Sequence, residues 1–408
     1  MSSANTPPVV VQKYGGSSVA DAARIERVAR LVADKRAEGN RVCVVVSAMG
    51  KTTDELLARA RAIHENPPRR ELDMLLSCGE RASMALLAMA LDKLGVPSIS
   101  LTGSQSGIIT NDAHSGARIV EVRPYRVQDE LERDRVVIVA GFQGVSYKKE
   151  VTTLGRGGSD TTAVALAAAL DAIACEIYSD VDGVWTADPR VVDDARRIDA
   201  LSFEEMQELA AAGAKVLNAQ AVQFAKQKGI AIYAKQTGAS LPGSVVRKDA
   251  PPPIGSVRGV AHKRAFHVVA TDTITQVRAL FDHLDAHEIP SSSISGHAQP
   301  GAPSGVVTLI PPEDAHGADR CFSTLPKGST RLPDVGAVSL VGQGMLEDRS
   351  VLTNGLAVLD ELGAAALGLS TSSFRVSFLV EPARVEDCAR ALHTRFLSAD
   401  RVVADPDR

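Results

Sequence analysis

Short runs of consecutive β-branched residues, each followed by a helical pattern, constrain the fold of this chain most. PVVVQK (8–13) and VCVVVSA (42–48) are apolar at successive positions rather than at alternate ones. Such strands are buried on both faces, as happens when helices cover both sides of a parallel sheet. The pattern continues with helices expected over 21–37, 79–94 and 160–173 and strands over 97–101, 136–140 and 174–179. Helical segments over 202–212 and 215–228 lead to a last strand over 230–234, making one α/β unit of roughly 240 residues.

The stretch GASLPGSVVRKDAPPPIG (238–255) is rich in glycine and proline and reads as a linker. Beyond it, short strands (265–270, 304–310, 335–341, 373–380) alternate with helices (273–287, 349–363, 384–396). Ala265–Pro311 and Gly336–Leu397 align in pattern as two small α+β modules. The expected domains are therefore 1–245, 256–330 and 331–408. A net charge of −4 brings no general attraction to phosphate backbones or anionic lipid, so neither a nucleic-acid nor a membrane partner is expected. The five cysteines are scattered, without a C-x-x-C pair, and read as buried, reduced thiols with no structural metal. MSSANTPPVV is not a secretory signal, and the longest apolar stretch, Thr162–Ala174, is too short for a bilayer; a cytoplasmic location is expected.

In VVVQKYGGSSVADAARI a strand runs into Gly15-Gly16-Ser17-Ser18 and then into a helix. Free N–H groups and a helix dipole converge at such a turn and favour an anion. Lys13 can reach the same anion as a point charge, or it can be a solvated strand-end lysine. Neither G-x-x-x-x-G-K-[ST] nor G-x-G-x-x-G is present. A second loop, TTLGRGGSDTT (152–162), precedes an apolar, hence buried, helix. Arg156 offers a fork for a carboxylate or phosphate. Ser159 and Asp160 are expected at the N-cap position. In SDVDGVWTADPRVVDDARRI (179–198), Ser179 and Asp180 close a strand where ligands of open α/β sheets bind. Trp185, the only tryptophan, either stacks on a base or covers a core edge, and Asp188-Pro189-Arg190 adds a turn.

With VVVSAMGKTTDELL (44–57), LLSCGERASMALLAMAL (75–91), TGSQSGIITNDAH (102–114) and VAGFQGV (139–145) in order between them, these segments make the chain resemble the aspartokinase family of the amino-acid-kinase superfamily over nearly all of residues 8–240. The resemblance implies ATP-dependent phosphorylation of L-aspartate to 4-phospho-L-aspartate, the entry step towards lysine, threonine and methionine. It also implies Mg²⁺ with the ATP, a C-terminal pair of ACT domains for amino-acid effectors, and a homodimer or higher oligomer. By resemblance, Lys13 stabilises the transferring phosphoryl group and Asp160 orients that lysine and the site. Gly15, Gly16 and Ser17 cradle phosphates. Arg156, with Gly157 and Gly158, clamps the α-carboxylate, and Glu80 pairs with the α-ammonium. Ser47, Thr52, Thr53 and Ser159 hydrogen-bond the substrate. Ser179, Asp180, Trp185, Asp188, Arg190 and Lys215 hold the nucleotide. The chemistry agrees: a carboxylate of pKa about 4 needs no general base, and phosphoryl transfer is mainly positioning and electrostatics.

The departures concentrate in the C-terminal half. Ser17 and Ser179 replace usual threonines, Trp185 a smaller aromatic residue, and Asn218-Ala219 a usual histidine-proline. In the first module Thr271-Asp272-Thr273-Ile274 replaces a proline-glycine start, and SSSISGHAQ (291–299) stands where the family contacts its effector. Weakened or altered inhibition by lysine or threonine is expected. The competing readings are a related kinase for another acid and a kinase-like amino-acid sensor.

Overall fold

The computed structural model describes residues 7–155, 157–214, 216–239, 242–252, 257–287, 289, 291, 293–297, 305–312, 318–347 and 349–398. Two compact units emerge. The first comprises Met1–Trp185, Arg197–Ala211 and Lys215–Pro252, and the second comprises Thr186–Arg196, Ala212–Ala214 and Pro253–Arg408.

The first unit begins with β1 (Val9–Tyr14), a 3₁₀ turn (Gly16–Val19), α1 (Ala22–Ala37) and β2 (Arg41–Val46). Three helices follow: α2 (Thr52–Ile63), α3 (Arg69–Leu76) and α4 (Cys78–Lys93). Next come β3 (Ser98–Leu101), β4 (Ile108–Thr110), β5 (Ile119–Val122), α5 (Tyr125–Glu132), β6 (Val136–Ala140), β7 (Gln143–Ser146) and β8 (Val151–Thr153). Then α6 (Gly158–Ala169), β9 (Ala174–Ser179), β10 (Val184–Trp185), β11 (Arg197–Ile198), β12 (Ala200–Leu201), α7 (Phe203–Ala212), α8 (Ala219–Lys228), β13 (Ile232–Gln236) and β14 (Ser244–Val246) complete it.

The main sheet has the order β12-β14-β13-β9-β1-β2-β6-β3 and is parallel except between β13 and β14. Val42 to Val46 and Val136 to Ala140 are buried without interruption, as the continuous apolar runs require. One face packs on α1 and α4 through Tyr14, Val28, Val44, Leu87 and Ile138. On α6 nearly every residue from Gly158 to Ala167 is buried. The stretch long and apolar enough to cross a bilayer is Arg69–Lys93, not Thr162–Ala174. It divides at Ser77 into α3 and α4, and α4 packs on α1, β3 and β6.

Several expectations need correction. The supposed linker 238–255 contains β14, which sits inside the main sheet between β12 and β13. Backbone pairing with β12 and β13 holds it there, while its Ser244 accepts the Val184 N–H at 2.8 Å and donates to the Ile198 carbonyl at 2.5 Å, tying it to the β10–β11 ribbon. The four-stranded sheet β5-β4-β7-β8 escaped the reading because its strands are only three or four residues long. The acidic segment 179–198 is divided after Trp185. Residues 186–196 bury Ala187, Val191, Val192 and Ala195, and Thr186 Oγ1 meets His393 Nε2 at 2.9 Å within the second unit. Cys78 is exposed, whereas Cys43, Cys175, Cys321 and Cys388 are buried.

The second unit contains β15 (Val257–Thr271), α9 (Val277–Ala286), β16 (Ser293–His297), β17 (Gly305–Ile310), α10 (Ala318–Ser323), β18 (Ser329–Gly342), α11 (Arg349–Glu361), β19 (Gly368–Ser372), β20 (Arg375–Val380) and α12 (Val385–Leu397). One antiparallel sheet, β16-β17-β15-β18-β20-β19, runs through both sequence-predicted modules. The strands expected at 265–270 and 335–341 are each part of a longer one. β15 and β18 pair from Val257–Gly342 to Thr271–Ser329, with bulges between.

Candidate active site

The C-terminal ends of β1, β2, β6 and β9 meet at a cluster of turns, the usual ligand position of an open parallel sheet. Lys13 pairs in register with Val45 and Ile177, and its side chain lies on the α6 side. There Lys13 Nζ lies 2.8 Å from Asp160 Oδ1, with both side chains about nine-tenths buried. Asp160 Oδ1 has no other hydrogen-bond partner among the described residues.

The glycine turn differs from the expected strand-to-helix junction. A 3₁₀ turn, Gly16–Val19, follows the glycines, and α1 starts only at Ala22, capped by Asp21 accepting the Arg24 N–H. The Gly15 N–H is spent on the Tyr178 carbonyl at 3.1 Å. Gly16 and Ser17, the first residues of the 3₁₀ turn, are therefore the ones whose N–H groups lack a partner within it. Gly16 is required by packing: a Cβ would lie 2.7 Å from the Ala48 carbonyl oxygen.

The β2–α2 turn lies against the start of α4. A Cβ on Gly79 would come within 2.7 Å of the Ala48 Cβ, and Glu80 Oε1 accepts the Ala48 N–H at 3.1 Å. Glu80 is buried, and its Oε2 has no partner among the described residues. Burial pushes the carboxyl up to about 7 against the pull of its backbone hydrogen bonds. A buried carboxylate with a bare oxygen suits a cationic ligand group. Ser47 is half-buried at the end of β2, and Thr52 and Thr53 open α2, where Thr52 Oγ1 donates to the Met49 carbonyl at 2.7 Å.

The second loop also departs from the sequence reading. The N-cap of α6 is Gly157, with φ +70, a left-handed conformation suited to glycine. Ser159 and Asp160 therefore lie inside the first helical turn rather than at the cap. The helix starts early because Gly157 accepts the Asp160 and Thr161 N–H groups through its carbonyl. Ser159 packs against Gly141, where a Cβ would lie 2.7 Å from its Oγ. Arg156 and Lys215 lie outside the described residues.

Two supports of this loop were not foreseen. Asp73 on α3 is fully buried and gathers the Ser115 N–H at 3.0 Å, Thr153 Oγ1 at 2.6 Å, the Thr153 N–H at 3.2 Å and His114 Nδ1 at 2.8 Å. It thus ties α3, the 114–115 turn and the end of β8 together, directly before Gly155–Gly158. Asn218 caps α8 by accepting the Gln220 and Ala221 N–H groups. Its side chain also presses on Gly157, where a Cβ would lie 2.3 Å from Nδ2. No motif singles out Asp73; Asn218 was visible only as a departure.

Of the nucleotide-side residues, Ser179 ends β9, where its carbonyl accepts the Thr237 N–H, and Asp180 is exposed beyond it. Trp185 is half-buried on β10, and its Nε1 donates to Asp182 Oδ1 at 2.9 Å. Asp188 and Arg190 belong to the second unit and pair bidentately at 3.0 and 2.7 Å. A cavity of about 350 Å³ is lined by Gln12, Lys35, Tyr178 and Lys235 among others. It is not the chemical site, because Gln12 and Lys13 alternate to opposite faces of β1.

The amino acid kinase family matches residues 8–234. The aspartokinase of Mycobacterium tuberculosis is 44% identical over 404 residues, covering 95% of this chain and 96% of the relative. That of Mycolicibacterium smegmatis is 42% identical over 412 residues, with the same coverage. Escherichia coli aspartokinase III in complex with aspartate and ADP superposes with a TM-score of 0.82 at 26% identity, covering 96% of this chain and all of that one.

Proposed function

The chain belongs to the amino acid kinase family as an aspartokinase, and we propose that Lys13, Asp160, Glu80 and the Gly15–Ser17 turn are the parts with which it works. It transfers the γ-phosphoryl group of ATP to the side-chain carboxylate of L-aspartate, giving ADP and 4-phospho-L-aspartate. The observation that carries the residue assignment is the buried Lys13–Asp160 pair beside the glycine turn, at the C-terminal ends of the parallel strands.

The attacking carboxylate is already ionised, so the obstacle is repulsion between two anions. The Lys13 ammonium sits where negative charge builds on the transferring group, and Asp160 keeps it from swinging out to solvent. The Gly16 and Ser17 N–H groups face the phosphates. Glu80 Oε2 takes the substrate α-ammonium, and Arg156 takes its α-carboxylate, with Ser47, Thr52, Thr53 and Ser159 completing the pocket. Ser179, Asp180 and Trp185 line the nucleotide side, and the nucleotide roles of Asp188, Arg190 and Lys215 rest on the sequence resemblance. Mg²⁺ arriving as the ATP complex would supply neutralisation of phosphate charge beside Lys13. A coupled ADP-release assay of Lys13→Ala with aspartate and with glutamate tests the assignment; full activity in that variant overturns it.

We also read the second unit as two fused ACT-like modules, near 256–330 and 331–408, sharing one sheet. The open edge at β19, flanked by exposed Leu367 and Leu369, supports pairing with a second copy. The effector-contact stretch 291–299 falls largely outside the described residues, so the proposal of weakened lysine or threonine inhibition stands on its sequence. Strong concerted inhibition by both amino acids in steady-state assays refutes it.

A further inference from the structure

Outside the kinase chemistry, a group of metal-ligating side chains gathers in the second unit. His283 and His287 stand one turn apart on α9, with ring centroids 4.4 Å apart. Cys321, on α10, is fully buried among Val269, Leu280, Leu284 and Ile310. One ring nitrogen of each histidine and the Cys321 Sγ lie within 4.8 Å of one another.

We propose that His283, His287 and Cys321 form a binding site for a divalent transition-metal ion of the zinc class. Imidazole and thiolate donors select such ions over Mg²⁺ or Ca²⁺. A tetrahedral zinc ion with bonds of about 2.0–2.3 Å holds its ligand atoms roughly 3.3–3.6 Å apart. Binding must draw the ligand atoms, which already lie within 4.8 Å of one another, into that range. Each ring is already anchored at one nitrogen by a backbone carbonyl: His283 Nε2 to Cys321 at 3.0 Å, and His287 Nδ1 to His283 at 2.9 Å. Carbonyl anchors of this kind fix the tautomer of metal-binding histidines and leave the other nitrogen unprotonated. The histidines are half-buried while the cysteine is dry, so an apolar wall backs the site and its solvent side gives entry and room for a fourth ligand such as water. Binding displaces the thiol proton, forming a metal–sulfur bond and releasing one H⁺, so affinity rises with pH. The site stands independently of the kinase residue assignments.

The test uses the full chain, stripped with EDTA and dialysed, then titrated with Zn²⁺ and separately with Co²⁺. The expected result is one equivalent of Zn²⁺ retained through gel filtration and a thiolate-to-Co²⁺ charge-transfer band in the near ultraviolet. H283Q/H287Q should lose the retained equivalent, C321S the band, and C78S neither. Should C321S fail to fold, H283Q/H287Q, whose substitutions are half-exposed, decides alone. Equal Zn²⁺ retention by the wild-type chain and H283Q/H287Q, or none by the wild-type chain, overturns the proposal.

Discussion

Gln12 and Lys13 are neighbours on β1, yet they serve opposite faces of one sheet and end in two different kinds of buried charge. On the Gln12 face, Glu176 is saturated. It accepts from Lys235 at 2.6 Å, Gln12 at 2.9 Å and the Tyr178 hydroxyl at 3.1 Å, with Lys35 nearby at 3.9 Å. Burial works to raise its pKa, but these hydrogen bonds and charges outweigh it and bring it below the ordinary value. On the Lys13 face the pairing is sparse: one contact holds Lys13 to Asp160, whose Oδ1 has no other partner among the described residues. A fully bonded buried carboxylate stabilises; an under-bonded one has been left room for a ligand. Two faces of one strand thus separate stability from chemistry.

The sharpest break is Lys13→Ala. The turnover number should fall about 10³-fold, a loss far larger than the stability cost of leaving Asp160 without its partner. Glu176→Ala should invert that outcome, costing about 3 kcal/mol in urea unfolding with turnover nearly unchanged. If Glu176→Ala instead abolished activity in a folded chain, the division between faces would fail. Glu80 provides a pH test. Because burial raises its folded pKa to about 7, the empty fold binds the proton more tightly than the unfolded chain does. Stability from this group is present below the ordinary carboxylate pKa and lost as pH rises through about 7. That amounts to roughly 3 kcal/mol between pH 4 and 8 and should vanish in Glu80→Gln. Aspartate binding follows the opposite sign, since only the carboxylate attracts the ammonium. Its KM should rise about tenfold from pH 8 to pH 6, measured by initial rates. Asp73→Asn is the mildest change. With the carboxylate that orders the 114–115 turn and β8 weakened, the aspartate KM should rise about fivefold and the ATP KM by less than twofold; equal changes in both would mean a general loss of packing.

The parallel sheet was legible because double-sided burial writes itself as unbroken runs such as VCVVV. Lys13, the glycine turns and Glu80 were legible because they lie in compact motifs whose order and spacing resemble a family. The strand hidden in 244–246 was not, since it is three residues long in a Gly/Pro-rich stretch and owes its place to backbone pairing with the distant β12 and β13. Nor was the passage of 186–196 to the second unit, because its apolar residues fit either partner until packing chooses one.

Residue types and local periodicity determined the fold class, and the resemblance of the ordered motifs pointed to the reaction and the charged groups. Tertiary structure decided which of those charges are satisfied. Long-range hydrogen bonds to Asp73 and Glu176 join residues from 41 to 164 positions apart, and Asn218 presses one loop on another; no local pattern encodes these contacts. Lys13 and Asp160, 2.8 Å apart after 146 intervening residues, owe their meeting to the parallel register of β1 and β9 and to the helix packed above them.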